Sequence, residues 1–283
     1  MIHIVADSTS DLSRELIEKH HISILPLHVI LDDKEYRDGV DITPADIYKW
    51  SDEVKRTPKT SAAGIEEVTE VFTRLTENGD EIIVLPISSQ MSTTLNVMNM
   101  VADDLNLRDR VSIVDSENLS TGIGLLVMEA AIMAENGASR DEIVARLVEL
   151  RPRVRASFVI DTLTYLYRGG RCNSLSAIFG SVLKLHPRID VIHGAMTAGE
   201  RYRGKFSAVT LKYVTDMEDR LLKAKKDRVF LTHSEADPDT VESVRKYLES
   251  LNYFDEIIET RAGGVISSHC GPGTLGVLFI DGE

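Results

Sequence analysis

The chain has 283 residues, of which 43% are hydrophobic and 27% charged, enough for one large core or two of ordinary size. Its formal net charge of −13 argues against general binding to nucleic acids or anionic membranes, because both partners are polyanions. A small anionic ligand is compatible with this charge, since its site is set by local groups.

The sequence carries no marker of secretion or of membrane insertion. No stretch reaches the roughly 18 apolar residues of a membrane span, and residues 2–6 form a strand-like start in place of a basic leader. Cys172 and Cys270 are too few and too far apart for a disulfide framework or a zinc site. We therefore expect a reduced, cytoplasmic protein.

Strand-like and helix-like segments alternate through the first half of the chain. A cap at Thr43, helical spacing from Ile65 to Leu75, an apolar segment ending near residue 135 and a capping box at Ser139 predict helices. Residues 32–34 are typical of a hairpin turn. The strands are predicted at residues 2–6, 24–31, 82–87 and 111–114. This alternation favours a mainly parallel sheet flanked by helices.

Around Arg151-Pro152-Arg153 the sequence predicts a change of domain, which gives an α/β domain of residues 1–152 and a smaller α/β domain of residues 153–283. Helices are predicted at residues 163–168, 174–185, 206–222 and 240–251, and strands at 158–160, 229–232, 256–260 and 277–280. Residues 188–193 and 202–205 are expected to form a hairpin. The glycine-rich residues 263–276 predict either a tight loop that presents His269 to a site or a turn with a histidine at the surface.

Hydroxyl side chains follow the predicted strands of the first half, at residues 7–10, 88–94 and 115–121, with Thr60 and Ser61 as a fourth group. In an open parallel sheet these junctions share one edge, where ligands bind, and helix N-termini favour anions. Each group alone is also explained by ordinary helix caps. Together they suggest a carboxylate or phosphate held by neutral donors.

Other kinds of site have less support in the sequence. A serine hydrolase would use Ser92, His269 and either Asp7 or Asp115, although the sequence has no G-x-S-x-G elbow. The histidines lack metal-ligand spacing, and no nucleotide-binding glycine motif is present. The segment from Arg168 to Arg171 suits an anion clamp, a partner-docking loop or a solvated helix end.

Five motifs in this order resemble those of the DegV family of bacterial fatty-acid-binding proteins. They span nearly the whole chain, and each is weak alone. They are Asp7-Ser8-Thr9-Ser10-Asp11-Leu12, Lys59-Thr60-Ser61, Ser88-Ser89-Gln90-Met91-Ser92-Thr93-Thr94, Leu163-Thr164-Tyr165-Leu166-Tyr167-Arg168-Gly169-Gly170-Arg171 and His269-Cys270-Gly271-Pro272-Gly273-Thr274-Leu275-Gly276.

The resemblance implies two α/β domains that enclose a long-chain fatty acid and present it to a separate fatty acid kinase. It implies no catalysis, cofactor or metal in this chain, and transient contact with a membrane fits this role. Partner docking would fall to Arg171 and also Arg168. The carboxylate would be held by Thr60, Ser61, Ser92 and His269, with Ser89, Thr94 and Thr274 as further candidates.

The sequence departs from the family pattern near the expected head group. Thr93 stands where glycine is usual, Ala63-Gly64 replaces a proline and a hydroxyl residue, and Cys172-Asn173 replaces an aliphatic residue and its neighbour. Acyl length, saturation, oligomeric state and the kinase stay open, as does a carrier of another small carboxylate or an isoprenoid acid. The acyl tail is expected along Met91, Leu95 and Met98 and across to Phe179 and Leu183, although such a methionine stripe also suits plain core.

Overall fold

The computed structural model describes residues 1–172 and 185–282. The strands are β1 (Ile2–Asp7), β2 (Ser23–Leu25), β3 (His28–Leu31), β4 (Lys34–Arg37), β5 (Lys59–Ser61), β6 (Glu81–Leu85), β7 (Val111–Ile113), β8 (Val154–Val159), β9 (Leu185–Ile192), β10 (Ala195–Arg203), β11 (Arg228–His233), β12 (Glu256–Arg261) and β13 (Leu275–Ile280). The helices are α1 (Arg14–Lys19), α2 (Pro44–Val54), α3 (Ile65–Thr76), α4 (Thr94–Asp104), α5 (Thr121–Glu135), α6 (Arg140–Leu150), α7 (Thr164–Gly169), α8 (Phe206–Thr215), α9 (Glu218–Leu221), α10 (Pro238–Ser250) and α11 (Gly264–Cys270).

The first sheet is parallel, as the alternating pattern predicts. Its strand order is β2-β1-β6-β7, and every neighbouring pair runs in the same direction. β6 is apolar and nearly all buried because helices cover the sheet. The carboxyl ends of its strands share one edge, which places the segments after β1, β6 and β7 side by side.

A second sheet is formed by later strands in the order β10-β9-β8-β13-β11-β12. Its pairs are antiparallel apart from β11 with β12. The predicted hairpin is formed by β9 and β10, but its turn lies at residues 193–194, so β10 starts at Ala195 and not at residue 202. The proposed boundary between residues 152 and 153 falls in the short 3-10 turn Arg151–Arg153 that precedes β8.

Helix α5 joins the two sheets. It contacts β1 and β6 on one side and β8 and β13 on the other. Its residues from Thr121 to Ala131 are all buried, which explains why this segment is apolar around its whole circumference. Among the described helices, none has both the length and the apolar character needed to cross a membrane.

Three predicted elements are wrong in detail. The strand expected at residues 24–31 is interrupted at Pro26, which cannot donate to a ladder, so β2 joins the first sheet while β3 pairs with β4 and β5. The helix expected at residues 206–222 divides into α8 and α9, and the turn between them buries Met217. Residues 264–270 form α11, so His269 lies on a helix and not in a loop.

One predicted helix, at residues 174–185, lies outside the described residues except for Leu185, which begins β9.

Candidate functional site

A cavity of about 430 Å³ lies beside the carboxyl edge of the first sheet. Its walls come from the segments after β2, β6 and β7, from β5 and the residue after it, and from α11. Arg171 and Met196 of β10 complete it from the second half of the chain. The cavity therefore lies where the first sheet, the small sheet of β4, β3 and β5, and the second sheet come together.

His269 lies in the last turn of α11 and lines this cavity. Its Nε2 atom is 2.8 Å from Thr60 Oγ1, a hydrogen bond between residues 209 positions apart. Its Nδ1 atom is buried and has no hydrogen-bond partner within the described residues. The ring packs against the backbone of Gly169 so closely that a Cβ atom there would overlap Nδ1. Thr60 and Gly169 thus fix the ring from two sides.

Burial, together with the nearby charge of Arg171, lowers the pKa of His269 from its ordinary 6.5 to about 4. The imidazole is therefore neutral at neutral pH in the protein without a bound anion. A bound carboxylate would favour the imidazolium, so ligand binding should raise this pKa.

We expect His269 to make the protein without a bound anion acid-sensitive. Between pH 6.5 and about 4 the unfolded chain binds a proton that folded His269 refuses, so stability is full above pH 6.5 and falls as the pH drops through this window. The measurement is the melting temperature of the wild type and of His269→Gln from pH 7.5 to 4.5. The advantage of the wild type should shrink steadily, whereas a constant difference would contradict the assignment.

Ser92 also lines the cavity, but its neighbour Thr94 does not. The Ser92 hydroxyl is 2.8 Å from Thr94 Oγ1 and accepts the backbone N–H of Thr94 at 3.2 Å. Thr94 is fully buried at the start of α4. Thr94 therefore orients Ser92 instead of facing a ligand.

The other predicted hydroxyls have partners of their own. Ser61 donates to Glu35 Oε1 at 2.7 Å and Ser89 to Asp115 Oδ2 at 2.5 Å, although both residues border the cavity. Thr274 is buried away from it and donates to the carbonyl of Cys270 at 3.0 Å. The structure thus places Thr60, Ser92 and His269 around one cavity. In the described residues, none of these three side chains is hydrogen-bonded to an acidic side chain.

The two arginines predicted to dock a partner differ in their position relative to the cavity. Arg171 lines the cavity, is exposed, and donates from Nη1 to the Gly169 carbonyl at 2.8 Å. Arg168 is exposed in the last turn of α7 and does not border the cavity. The cavity has one cation at its margin, Arg171, among the described residues that line it.

The catalytic triad considered from the sequence is not assembled. Asp7 accepts hydrogen bonds from Thr9 and from the Ile87 N–H, and Asp115 accepts from Ser89 and the Glu117 N–H. His269 bonds Thr60, and no hydrogen bond joins it to Ser92 or to either acid in the part of the chain that the structure describes.

A second, small void of about 20 Å³ adjoins this cavity, and Leu119, Ile266 and Cys270 line both. Phe158 and Leu278 of the second sheet and Thr274 also line the small void. Met91 borders the cavity, whereas Leu95 does not and Met98 belongs to the core of the first half. Phe179 and Leu183, the other expected tail contacts, lie outside the described residues.

Besides His269, α11 contributes apolar residues to the cavity wall that the sequence pattern did not reveal. Ile266 and Cys270 are four residues apart and lie on one helical face with Val265 and His269. The glycines around this short segment obscured the helical spacing. Within residues 1–172 and 185–282, no cluster of three or more histidine, cysteine or acidic side chains could hold a metal ion.

Comparisons with known proteins agree with one another. The family model "Uncharacterised protein, DegV family" matches residues 1–282. A DegV domain-containing protein of Caldanaerobacter subterraneus is 34% identical over 279 residues, 98% of each chain. A solved DegV family protein of Thermus thermophilus, described for its fatty acid binding, has a TM-score of 0.91 at 31% identity over 99% of each chain.

A stearic-acid-binding protein of Eubacterium ventriosum has a TM-score of 0.86 at 28% identity, covering 99% of this chain and 98% of that one. These matches extend over both sheets, the cavity between them and all five motifs. The chain therefore belongs to the DegV family.

Proposed function

We propose that this protein binds a long-chain fatty acid between its two halves and presents it to a separate fatty acid kinase. The carboxylate lies among Thr60, Ser92 and His269, and the tail follows the apolar wall past Leu119 and Ile266. The observation that carries this proposal is the cavity itself, whose lining combines these neutral polar groups with apolar side chains such as Met91, Leu119 and Ile266. Solved relatives described as fatty-acid-binding support it.

The energetics suit such a ligand. Each buried methylene contributes about 0.8 kcal/mol, so a long acyl tail supplies most of the affinity. The polar groups then mainly fix orientation. Neutral groups can donate hydrogen bonds to a carboxylate, and they avoid the cost of a buried, unpaired cation when no ligand is bound. Arg171 adds a positive charge at an exposed position, where solvent supports that charge in the absence of ligand.

A comparison of oleate with methyl oleate tests this proposal. The two ligands share a tail but differ in the anionic head group. We expect the wild type to bind oleate at least about tenfold more tightly, the scale of one hydrogen bond to a charged group. Equal affinity for acid and ester would show that no carboxylate site exists here.

Docking of the kinase belongs to the same proposal. Arg168 lies on α7, directly before the Gly169–His269 contact, but outside the cavity. We expect Arg168→Gln to leave oleate affinity unchanged and to slow acyl phosphate formation by a fatty acid kinase about thirtyfold, the lower limit for an interface hot spot. Unaltered phosphorylation would remove Arg168 from the docking surface.

The alternative is an acyl ester or thioester hydrolase that uses Ser92 and His269. It requires the Ser92 hydroxyl to leave Thr94 and reach the histidine, which now bonds Thr60. Steady hydrolysis of p-nitrophenyl palmitate, lost in Ser92→Ala, would favour the hydrolase. A carrier of another small carboxylate or an isoprenoid acid would differ in the identity of the ligand.

The arrangement as two domains, residues 1–152 and 153–283, and the cytoplasmic location with transient membrane contact complete this proposal. Both are consistent with a carrier that exchanges lipid between a membrane and an enzyme.

A further inference from the structure

A buried carboxylate from the first half of the chain holds the start of α11. Asp38, which is 3% exposed, lies between β4 and α2. It accepts the backbone N–H of Gly264 at 2.6 Å and that of Val265 at 3.2 Å. The Ser8 hydroxyl donates to the same carboxylate at 2.9 Å. Asp38 thus accepts hydrogen bonds from N–H groups in the first turn of α11, which have no partner within the helix, and α11 is the helix that carries His269.

This close approach depends on the consecutive glycines Gly263 and Gly264. A Cβ atom on Gly264 would lie 2.8 Å from Asp38 Oδ1 and 2.9 Å from Ile47 Cδ1. A Cβ atom on Gly263 would lie 3.2 Å from Asp38 Oδ2 and 3.3 Å from Asp11 Oδ1. Gly263-Gly264 is therefore explained by close packing against two carboxylates.

Two further buried acids extend the same arrangement. Asp11 accepts the Gly263 N–H at 2.8 Å and the Ser120 hydroxyl at 2.5 Å. Asp7 accepts the Ile87 N–H at 2.7 Å, at the start of the segment that leads to Ser92. Asp7 thus fixes the segment after β6, and Asp11 and Asp38 fix the start of α11. These two segments form different parts of the cavity wall.

These acids are costly to bury. Burial raises the pKa of Asp7 to about 6 and also raises the pKa of Asp11 and of Asp38, against the lowering effect of their hydrogen bonds. Replacing a buried carboxylate by asparagine keeps the shape but presents an NH₂ group to at least one N–H donor. Such a change should disturb whatever the carboxylate orients.

We infer that Asp38 is a positioning residue for the head-group site: by capping α11 it holds His269 against Thr60, with Asp11 and Asp7 bracing the same walls. This inference rests on the proposed function for its ligand but not for its geometry. Asp38 itself does not line the cavity, because its contacts are with the end of α11 opposite His269; of the two N–H groups it accepts, that of Val265 belongs to a cavity-lining residue.

The test compares Asp38→Asn with Asp41→Asn. Asp41 lies three residues further along the chain but is exposed and pairs with Arg37. The first readout is the titration of the His269 ring in lipid-free protein, followed by nitrogen NMR. In Asp38→Asn the midpoint should move from about 4 toward the ordinary 6.5 as the ring leaves Thr60, whereas Asp41→Asn should titrate like the wild type.

The second readout is the preference for oleate over methyl oleate. Asp38→Asn should reduce this preference about tenfold, the effect of losing one well-oriented charge-assisted hydrogen bond. Unchanged His269 titration and an unchanged preference in folded Asp38→Asn would overturn the inference.

A second variant covers the case in which Asp38→Asn does not fold. Gly264→Ala keeps every acid and adds one methyl group against Asp38, so it should produce the same two changes in smaller measure. Wild-type behaviour of Gly264→Ala would then overturn the inference. If the wild type binds neither oleate nor its ester, the proposed function fails, and the His269 titration alone still decides the role of Asp38.

Discussion

Replacing Thr60 by valine is expected to lower oleate affinity about ten- to a hundredfold and to leave methyl oleate affinity nearly unchanged. Valine keeps the shape of threonine but removes the hydroxyl, which is both a proposed ligand donor and the partner of His269 Nε2 at 2.8 Å. Within the described residues the buried Nδ1 atom already lacks a partner, so the ring would lose its only hydrogen bond there. The measurement is competitive titration with both lipids.

The same substitution should lower the melting temperature of the lipid-free protein, because an unsatisfied buried polar group costs about 1–3 kcal/mol. Thr73→Val is the matched control, since Thr73 is exposed on α3 and lies away from the cavity. If Thr60→Val binds oleate as the wild type does, the threonine has no part in holding the carboxylate.

Replacing Gly169 by alanine is expected to displace the His269 ring and to reduce oleate affinity at least about tenfold. The added Cβ atom would overlap Nδ1 and lie 3.3 Å from Cε1, and α7 leaves little room because it packs along α11. The ring must therefore turn away from Thr60, or α7 must move. A crystal structure or the nitrogen shifts of His269 would record the displacement.

Gly170→Ala provides the control for this prediction. Gly170 has φ +67° and nothing within 4 Å of its Cβ position, so alanine there costs backbone strain of about 1 kcal/mol without touching the histidine. We expect Gly170→Ala to lose some stability and to keep its preference for oleate. Equal losses of affinity in both variants would indicate a general distortion of α7.

Locally encoded parts of the fold could be predicted from the sequence. The capping boxes at Thr43 and Ser139 begin α2 and α6 where the pattern places them, because each uses only residues three positions apart. The continuous apolar run of β6 marks a strand buried on both faces. The division of residues 24–31 depended on a single proline, and the pattern on either side of Pro26 gave no sign of two different sheets.

The position of His269 needed information that is distant in the sequence. Glycine-rich segments usually form turns, and α11 is stable here because Asp38 and Asp11, more than 220 residues earlier, bond its first N–H groups. The roles of the hydroxyl residues also depend on partners that are distant in the sequence. Ser61 and Ser89 have the residue type of a carboxylate site, but Glu35 and Asp115 accept their hydrogen bonds. Only the folded chain distinguishes them from Thr60 and Ser92.

The neutral state of His269 connects the site to its ligand. A ring whose pKa lies near 4 adds no charge to the empty cavity, so the cavity can be apolar before lipid arrives. An arriving carboxylate then supplies the counter-charge that a protonated ring would need. Oleate binding should therefore raise the pKa of this histidine, which links its titration directly to occupancy.

We expect the cavity between the two halves to hold a fatty acid in the protein as it is isolated. Native mass spectrometry of freshly purified protein, followed by denaturing extraction of the bound material, measures this occupancy. The expected result is a mass excess that resolves into long-chain fatty acids and that Thr60→Val reduces. Protein that is recovered empty and takes up neither added oleate nor added palmitate would contradict it.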